Sequence, residues 1–392
     1  MKKHYLFLMR SSEIGGAERR LISFFEHVNY NKYDITWVIN RDTFSQYFKE
    51  KGLPVKIETL PQIKDGFCTF QNFFKFYNFF RRTKPDVIVF SQFYLASFSI
   101  FELIAGLFAT KGNVYMISHD CPPPFERYES KKHFGIIPSL GLEWRIKRLE
   151  QKLLIYFTKY TLAVSKASLD ALIKIHNYPE RKLLLSYHGV DIQRFTPSFK
   201  NRLYIRKWLN TPSDAIVIVS SAGLDKIKCL DRLIKAFGVI ANERTDIWLF
   251  FAGDGNERDH LTNMVNSLNE SENKRVKFLG FIDDIVPILQ ASDIFVSSSD
   301  SEGFCNACME AIACGLVSVV TDCGGPTEFI RDGYNGFVVP KSTEGVLNGL
   351  RKALTLSDEE REKFSNNSIK VIRGKFILKD NVRYALNLLG MN

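Results

Sequence analysis

Short apolar runs rich in β-formers alternate with helix-length amphipathic segments along almost the whole chain, and the series occurs twice. His4 to Met9, Asp34 to Ile39, Asp86 to Phe90, Asn113 to Ser118 and Tyr160 to Val164 read as strands of the first series. After Gly189-Val190-Asp191 a polar stretch runs to Asp214. The alternation then restarts with Ala215 to Ser221, Ile247 to Ala252, Val276 to Leu279, Ile294 to Ser297 and Val317 to Val320. Strands this apolar are covered on both faces, so the pattern predicts two successive α/β domains, each a parallel sheet wrapped by helices. The length of 392 residues agrees, because a single core rarely grows that far. Residues 1–195 make the first domain and 196–374 the second, and the helical segment 375–392 is expected to pack back on the first. Ligands of such sheets sit at the carboxyl ends of strands, so function is sought in the loops that follow them.

Composition narrows the class. With 45% hydrophobic and 24% charged residues the chain is neither disordered nor fibrous, and no apolar run reaches the length of a membrane span. Met1-Lys2-Lys3 precedes an apolar run, but Arg10 ends it too early for a secretory signal. Seven cysteines (Cys68, Cys121, Cys229, Cys305, Cys308, Cys314 and Cys323) are scattered and odd in number, which implies no disulfide framework and fits a reducing cytoplasm. The formal charge of +10 is uneven. Up to residue 195 there are 29 Lys and Arg against 18 Asp and Glu (+11), and beyond it 24 against 25 (−1). A basic first domain suits a phosphorylated substrate, anionic lipid headgroups or nucleic acid, and equally a solvated basic surface.

The densest chemistry lies in Ser297-Ser298-Ser299-Asp300-Ser301-Glu302-Gly303-Phe304-Cys305-Asn306-Ala307-Cys308-Met309-Glu310-Ala311. A strand ends, a small polar loop follows, and a helix starts near Asn306. Loop amides and a helix N-terminus form a site for diphosphate. Glu302 in the loop and Glu310 a turn into the helix can accept hydrogen bonds from hydroxyls. Carboxylates beside an anion site make sense for a ligand that carries both sugar hydroxyls and phosphates. An isolated E-x7-E would read as a solvated pair, but a second Gly-rich loop follows at Asp322-Cys323-Gly324-Gly325-Pro326-Thr327-Glu328, and then Asp332-Gly333-Tyr334-Asn335-Gly336.

The block from Ser297 to Pro340 closely resembles the retaining glycosyltransferases of family four, whose GT-B fold sets two Rossmann-like domains facing across a cleft. The resemblance extends to Phe251-Ala252-Gly253-Asp254-Gly255, Val276-Lys277-Phe278-Leu279-Gly280-Phe281, His188-Gly189-Val190-Asp191 and Ser12-Glu13-Ile14-Gly15-Gly16-Ala17-Glu18. It implies that Glu310 binds ribose hydroxyls, and that Glu302 with the amides of Gly303, Phe304, Cys305 and Asn306 holds donor sugar and diphosphate. It further implies that Phe281 and Ile282 meet the base, that Gly15 and Gly16 let backbone approach diphosphate or acceptor, and that His119 hydrogen-bonds a sugar hydroxyl. Transfer would retain configuration by same-face displacement without a covalent carboxylate. No metal or other cofactor is expected, since Lys228 and helix N-termini supply the positive charge.

One position departs from the family pattern of Gly-Arg-Leu, three residues, Lys-Gly. Here Ala222-Gly223-Leu224-Asp225-Lys226-Ile227-Lys228-Cys229 keeps the lysine as Lys228 but has Gly223 where the arginine stands. Charge builds on a departing diphosphate, so a missing cation weakens catalysis unless Lys226 substitutes. The four cysteines from Cys305 to Cys323 lack the paired knuckles of a structural zinc site and read as small buried thiols.

On the acceptor side, Phe67, Phe70, Phe73, Phe74, Phe76, Tyr77, Phe79 and Phe80 end in Arg81-Arg82, and Pro122 to Lys152 carries Arg127, Lys131, Lys132, Arg145, Lys147 and Arg148. Such a surface suits an anionic leaflet, to which a cytoplasmic enzyme would dock peripherally to reach a lipid-linked sugar. An interfacial helix shows its aromatics as an exposed stripe, whereas a core helix buries them. The leading expectation is an enzyme of cell-surface polysaccharide synthesis. It would move a hexose or N-acetylhexosamine from a nucleoside diphosphate sugar, a UDP-sugar in preference, to a saccharide or lipid-linked acceptor. The alternative is a noncatalytic partner subunit of the same family. Nucleic-acid binding has only charge behind it, and the first strand lacks the G-x-G-x-x-G of a dinucleotide oxidoreductase.

Overall fold

The computed structural model describes residues 2–10, 15–40, 42, 44–60, 70–92, 100–119, 153, 156–174 and 177–391. The chain divides into two units, Met1–Tyr187 with Val382–Asn392, and His188–Asn381.

The first unit holds strands β1 (Lys3–Met9), β2 (Tyr33–Ile39), β3 (Val55–Thr59), β4 (Val87–Gln92), β5 (Val114–Ser118), β6 (Thr161–Ala163) and β7 (Leu183–Leu185). Its helices are α1 (Gly16–Phe25), α2 (Ser45–Glu50), α3 (Phe70–Thr83), α4 (Ile100–Thr110) and α5 (Lys166–Lys174). The strands form one sheet in the order β3-β2-β1-β4-β5-β6-β7, every pair parallel, with Phe7 opposite Trp37 and Leu8 opposite Phe90. Phe76, Phe80, Leu103, Ile88 and Met116 fill a core on this sheet. Each large apolar side chain buried there contributes roughly 1.5–3 kcal/mol.

The second unit repeats the plan with β8 (Ile216–Ser221), β9 (Ile247–Ala252), β10 (Val276–Gly280), β11 (Ile294–Ser297), β12 (Val317–Thr321) and β13 (Gly336–Val339) in the order β10-β9-β8-β11-β12-β13, again parallel. Its helices are α6 (Phe199–Trp208), α7 (Leu230–Glu243), α8 (Arg258–Asn266), α9 (Glu270–Asn273), α10 (Val286–Gln290), α11 (Asn306–Ala313), α12 (Thr343–Thr355) and α13 (Asp358–Lys375). The last helix, α14 (Leu378–Leu388), runs from this unit into the returning segment of the first. Leu233, Phe237, Leu249, Phe251 and Leu350 lie fully buried around the sheet.

Both strand orders reverse direction at a switch point, between β1 and β4 in one unit and between β8 and β11 in the other. In sheets of this kind ligands bind at the strand ends beside such a point, and this places the candidate site. Three strands were not among those read from the sequence: β3, β7 and β13. All three are sheet edges. In β3, Lys56 and Glu58 alternate with Val55 and Ile57, so this strand lacks the continuous apolar run of a central one. The chain crosses between units at Tyr187 rather than at residue 195. Val190 bridges Ile377 as an isolated parallel pair, and a Cβ on Gly189 would lie 2.7 Å from the Leu378 backbone, which ties this stretch to the second unit. The end of α14 returns to the first unit, where the buried Tyr5 hydroxyl donates to the carbonyls of Leu389 at 3.1 Å and Gly390 at 3.0 Å.

Candidate donor-binding site

At the second unit's switch point, the loop after β8 ends in a 3-10 turn (Lys226–Lys228) and the loop after β11 leads into α11. The two are sewn together through backbone. The Ser298 hydroxyl donates to the carbonyls of Lys228 (3.0 Å) and Cys229 (2.9 Å), and the Asp300 amide donates to Ile227 O at 2.9 Å. Arg232, in the first turn of α7, pairs with Asp300 at 2.9 Å. The central interaction is Lys228 Nζ to Glu302 Oε1 at 2.8 Å, and the Ser299 hydroxyl donates to the same oxygen at 2.7 Å. Burial alone would lower the Lys228 pKa, but the Glu302 charge and hydrogen bond outweigh it and hold the ammonium well above its usual range. Lys228 is therefore a fixed cation at the strand ends.

Glu302 is also fixed by backbone. Its amide donates to Cys323 O and its carbonyl accepts from Gly325 N, both at 3.0 Å. A Cβ on Gly325 would stand 2.4 Å from Phe304 Cα, so only glycine lets the two loops close this tightly. Cys305 caps α11 in the left-handed region at φ 65°, an uncommon place for a side-chain-bearing residue. Strain of this kind occurs where surroundings over-determine the backbone. The amides of Gly303 and Cys305 donate to no protein group among the described residues, so they remain available to a ligand at the helix N-terminus.

Not every expected residue contributes a side chain. Phe304 is buried and packs against His188, Phe329 and Phe376, which leaves only its backbone to face a ligand. Phe281 is 56% exposed after β10, behind Gly280 at φ 70°, and Ile282 is half-buried. Glu310 lies in the second turn of α11. Arg194 feels its charge as well as that of Asp284, to which it donates at 2.8 Å. Burial pulls the Arg194 pKa down, but these acids win and raise it. Gly223 is exposed, and Asp225 Oδ2 lies 3.0 Å from where a Cβ would stand. Lys226 is exposed and forms no ion pair among the described residues. The sequence reading missed Ser299, Arg232 and Arg194. The Ser297-Ser298-Ser299 run of small hydroxyls at a strand end was the signal for Ser299; Arg232 and Arg194 carried none in the sequence.

Cys308, Cys314 and Cys323 are buried thiols, the last two pushed up to about 12, first by burial and then by neighbouring carboxylates. Among the described residues no three His, Cys, Asp or Glu side chains gather as metal ligands.

In the first unit Gly15 caps α1, but its amide already donates to Glu18 Oε2 at 2.8 Å. Arg20, one turn on, is 2% exposed and donates to the Ser186 carbonyl (2.6 Å) and hydroxyl (3.0 Å), while Nε and Nη1 hydrogen-bond no group among the described residues and the guanidinium lies over the Phe24 ring. Burial pushes its pKa down to about 9. His119 follows β5 and shares a 2.7 Å hydrogen bond with the buried Ser91 hydroxyl. Among its described side chains the aromatic segment is mostly core: Phe76, Phe79 and Phe80 are buried, Phe73 and Tyr77 pack half-buried against them, and Phe74 is 49% exposed. Phe67, Ser12 to Ile14 and Pro122 to Lys152 lie outside the described residues.

Two family models match the chain, Glycosyl transferases group 1 over residues 201–371 and Glycosyltransferase Family 4 over residues 14–194. A lipopolysaccharide core biosynthesis glycosyltransferase of Rhizobium meliloti is 37% identical over 148 residues, 38% of this chain and 42% of that protein. The chain thus matches less than half the length of that relative. The Campylobacter jejuni N-acetylgalactosamine-N,N'-diacetylbacillosaminyl-diphospho-undecaprenol 4-alpha-N-acetylgalactosaminyltransferase is 26% identical over 72% of each chain. Among solved structures, Anabaena HepE in complex with UDP-glucose superposes with a TM-score of 0.79 over 99% of both chains at 20% identity.

Proposed function

Since the chain belongs to the family-four, group 1 glycosyltransferases and has their GT-B fold, we propose that it transfers a sugar, with retention, from a nucleoside diphosphate sugar to a saccharide or lipid-linked acceptor. The observation that carries this reading is the fixed Lys228–Glu302 pair beside open amides at the start of α11.

In this proposal the diphosphate lies against the amides of Gly303 to Asn306, where the helix dipole favours negative charge. Lys228 donates a further N–H to a phosphate oxygen while Glu302 and Ser299 hold it in place. As the glycosidic bond breaks, the electron pair stays on the diphosphate. A cation fixed before the reaction stabilises that charge without reorganisation. The leaving phosphate oxygen takes the acceptor's hydroxyl proton, and the acceptor oxygen bonds to the anomeric carbon on the same face. Glu310 accepts from the ribose hydroxyls, with Arg194 beside it. Phe281 and Ile282 flank the base. His119, its ring held by Ser91, hydrogen-bonds a sugar hydroxyl. Lys228 and the helix N-terminus supply the positive charge, so no metal enters the scheme.

UDP-sugar is the favoured donor, because HepE is recorded with UDP-glucose. A lipid-linked acceptor is supported by the Campylobacter relative, whose name specifies a diphospho-undecaprenol substrate, and a role in cell-surface polysaccharide synthesis by the Rhizobium relative, which is named for lipopolysaccharide core biosynthesis. Gly223 supports a second reading, a noncatalytic partner of the same fold, because the loop offers no arginine to the diphosphate. Titration calorimetry with UDP, GDP and ADP separates the two, followed by donor-sugar hydrolysis with the nucleotide that binds. Selective binding lost in Glu310→Ala, with slow sugar release by the wild type, is the enzyme's result. Failure of all three nucleotides to bind sinks it and leaves the partner reading.

A further inference from the structure

Helix α6 is inside out. Its two arginines and Asn201 reach into the unit: Arg202 and Arg206 clasp Asp293 at 2.6 and 2.7 Å, and Asn201 donates to Gln290 at 2.6 Å. Arg206 is 1% exposed, and its other nitrogens donate to the carbonyls of Ala291, Ser213 and Ala215. The apolar side chains face outward instead, with Phe199 75%, Leu203 43%, Tyr204 70% and Trp208 63% exposed. At 100° per residue these four and the exposed Lys200 and Lys207 fall on one half of the helix circumference. Single exposed apolar residues are ordinary; three aromatics and a leucine on one face are not.

We propose that this face of α6 docks on the surface of an anionic lipid bilayer. Phe, Tyr and Trp beside lysines are the composition that settles at the boundary between headgroups and acyl chains. Lys200 and Lys207 form no ion pair among the described residues, and the helix carries no acidic residue, so both ammoniums face outward toward anionic headgroups. Lysine is depleted from the cores of protein–protein interfaces, which argues against a protein partner on a stripe that interleaves it with aromatics. The helix lies on the bilayer rather than crossing it, since no described helix is long and apolar enough to span a membrane. The arginine clasp to Asp293 holds the aromatic face outward on a rigid base. This assignment does not depend on the donor chemistry proposed above.

Co-sedimentation of the full chain with phosphatidylcholine vesicles, with and without about one third phosphatidylglycerol, tests it. Expected is retention on the anionic vesicles that weakens in high salt. The Phe199→Ser, Tyr204→Ser, Trp208→Ser triple variant loses it, and Lys200→Glu with Lys207→Glu lowers partitioning on the order of thirtyfold. All five positions are exposed, and circular dichroism with nucleotide titration confirms that the variants fold. Three results overturn the assignment: no retention of wild type on anionic vesicles, equal retention of the triple variant, or wild-type self-association without lipid that the triple variant abolishes.

Discussion

The two units share a strand order and a switch point, yet they treat charge at that point in opposite ways. In the second, the cation Lys228 has a carboxylate partner, and amides at the start of α11 stay open. In the first, the Gly15 amide is closed by Glu18, and the buried cation Arg20 hydrogen-bonds Ser186 and lies over the Phe24 ring, with no carboxylate partner among the described residues. Topology alone therefore does not make the proposed anion site. What makes one is whether the helix start is left unsatisfied by the chain itself, and whether the nearby cation is held where a ligand can reach it.

The largest effect expected from breaking this contrast is at Lys228. Lys228→Ala removes the fixed cation from the leaving group and lowers turnover about 10²–10³-fold, as loss of one transition-state donor does elsewhere. Glu302→Gln keeps the lysine but unties it, and falls less. Steady-state rates with nucleotide affinities separate a kcat effect from a binding one. Equal turnover in wild type and Lys228→Ala would remove the lysine from the mechanism.

Next in size is Gly325→Ala, a test of how tightly the two loops of the second unit close. A Cβ 2.4 Å from Phe304 Cα forces backbone to move, at a cost of about 2–4 kcal/mol. The midpoint of chemical denaturation should drop accordingly, and donor affinity should fall with it. Unchanged stability would mean the loops are looser than drawn.

Arg20 gives the counterpart in the first unit. A buried guanidinium with no carboxylate among the described residues costs solvation that two hydrogen bonds to Ser186 and the Phe24 ring offset only in part. Arg20→Met should be neutral or stabilise by about 1–2 kcal/mol. A strong destabilisation would show that Arg20 has a partner, and so that the contrast with Lys228 is false.

How much of this was legible beforehand differs between the units for the same reason. The central strands announce themselves because both faces are apolar, while β3, with Lys56 and Glu58 on alternate positions, does not. Glu302, Glu310 and Lys228 were legible through the motif they form. Their pairing was not, because Ser299, Arg232 and the glycine at 325 act through geometry that spacing does not encode. The phenylalanine segment was ambiguous on sequence, and the structure decides: Phe76 and Phe80 are core. Helix α6 was passed over inside a stretch read as polar. Averaged over its length, arginines and lysines cancel aromatics, and only burial reveals that the arginines face in while the aromatics and lysines face out.

The smallest effect, and the one that sharpens the comparison most, is at Gly15. Its φ of −114° is open to any residue, so the glycine is not required by backbone conformation. A Cβ there would stand 2.9 Å from Glu18 Oε2, the far end of a flexible side chain that can step aside. Gly15→Ala should cost a few tenths of a kcal/mol in stability through the weakened cap. If the glycine pair is a plain turn, that is all, and KM for donor and acceptor stay as in wild type. If backbone at Gly15 and Gly16 approaches a ligand, the methyl group raises KM several-fold at unchanged stability, and the first unit's helix start is a binding surface that Glu18 leaves when the ligand arrives. The second outcome would mean that the first unit's closure is a resting state, and the difference between the two switch points one of occupancy rather than of kind.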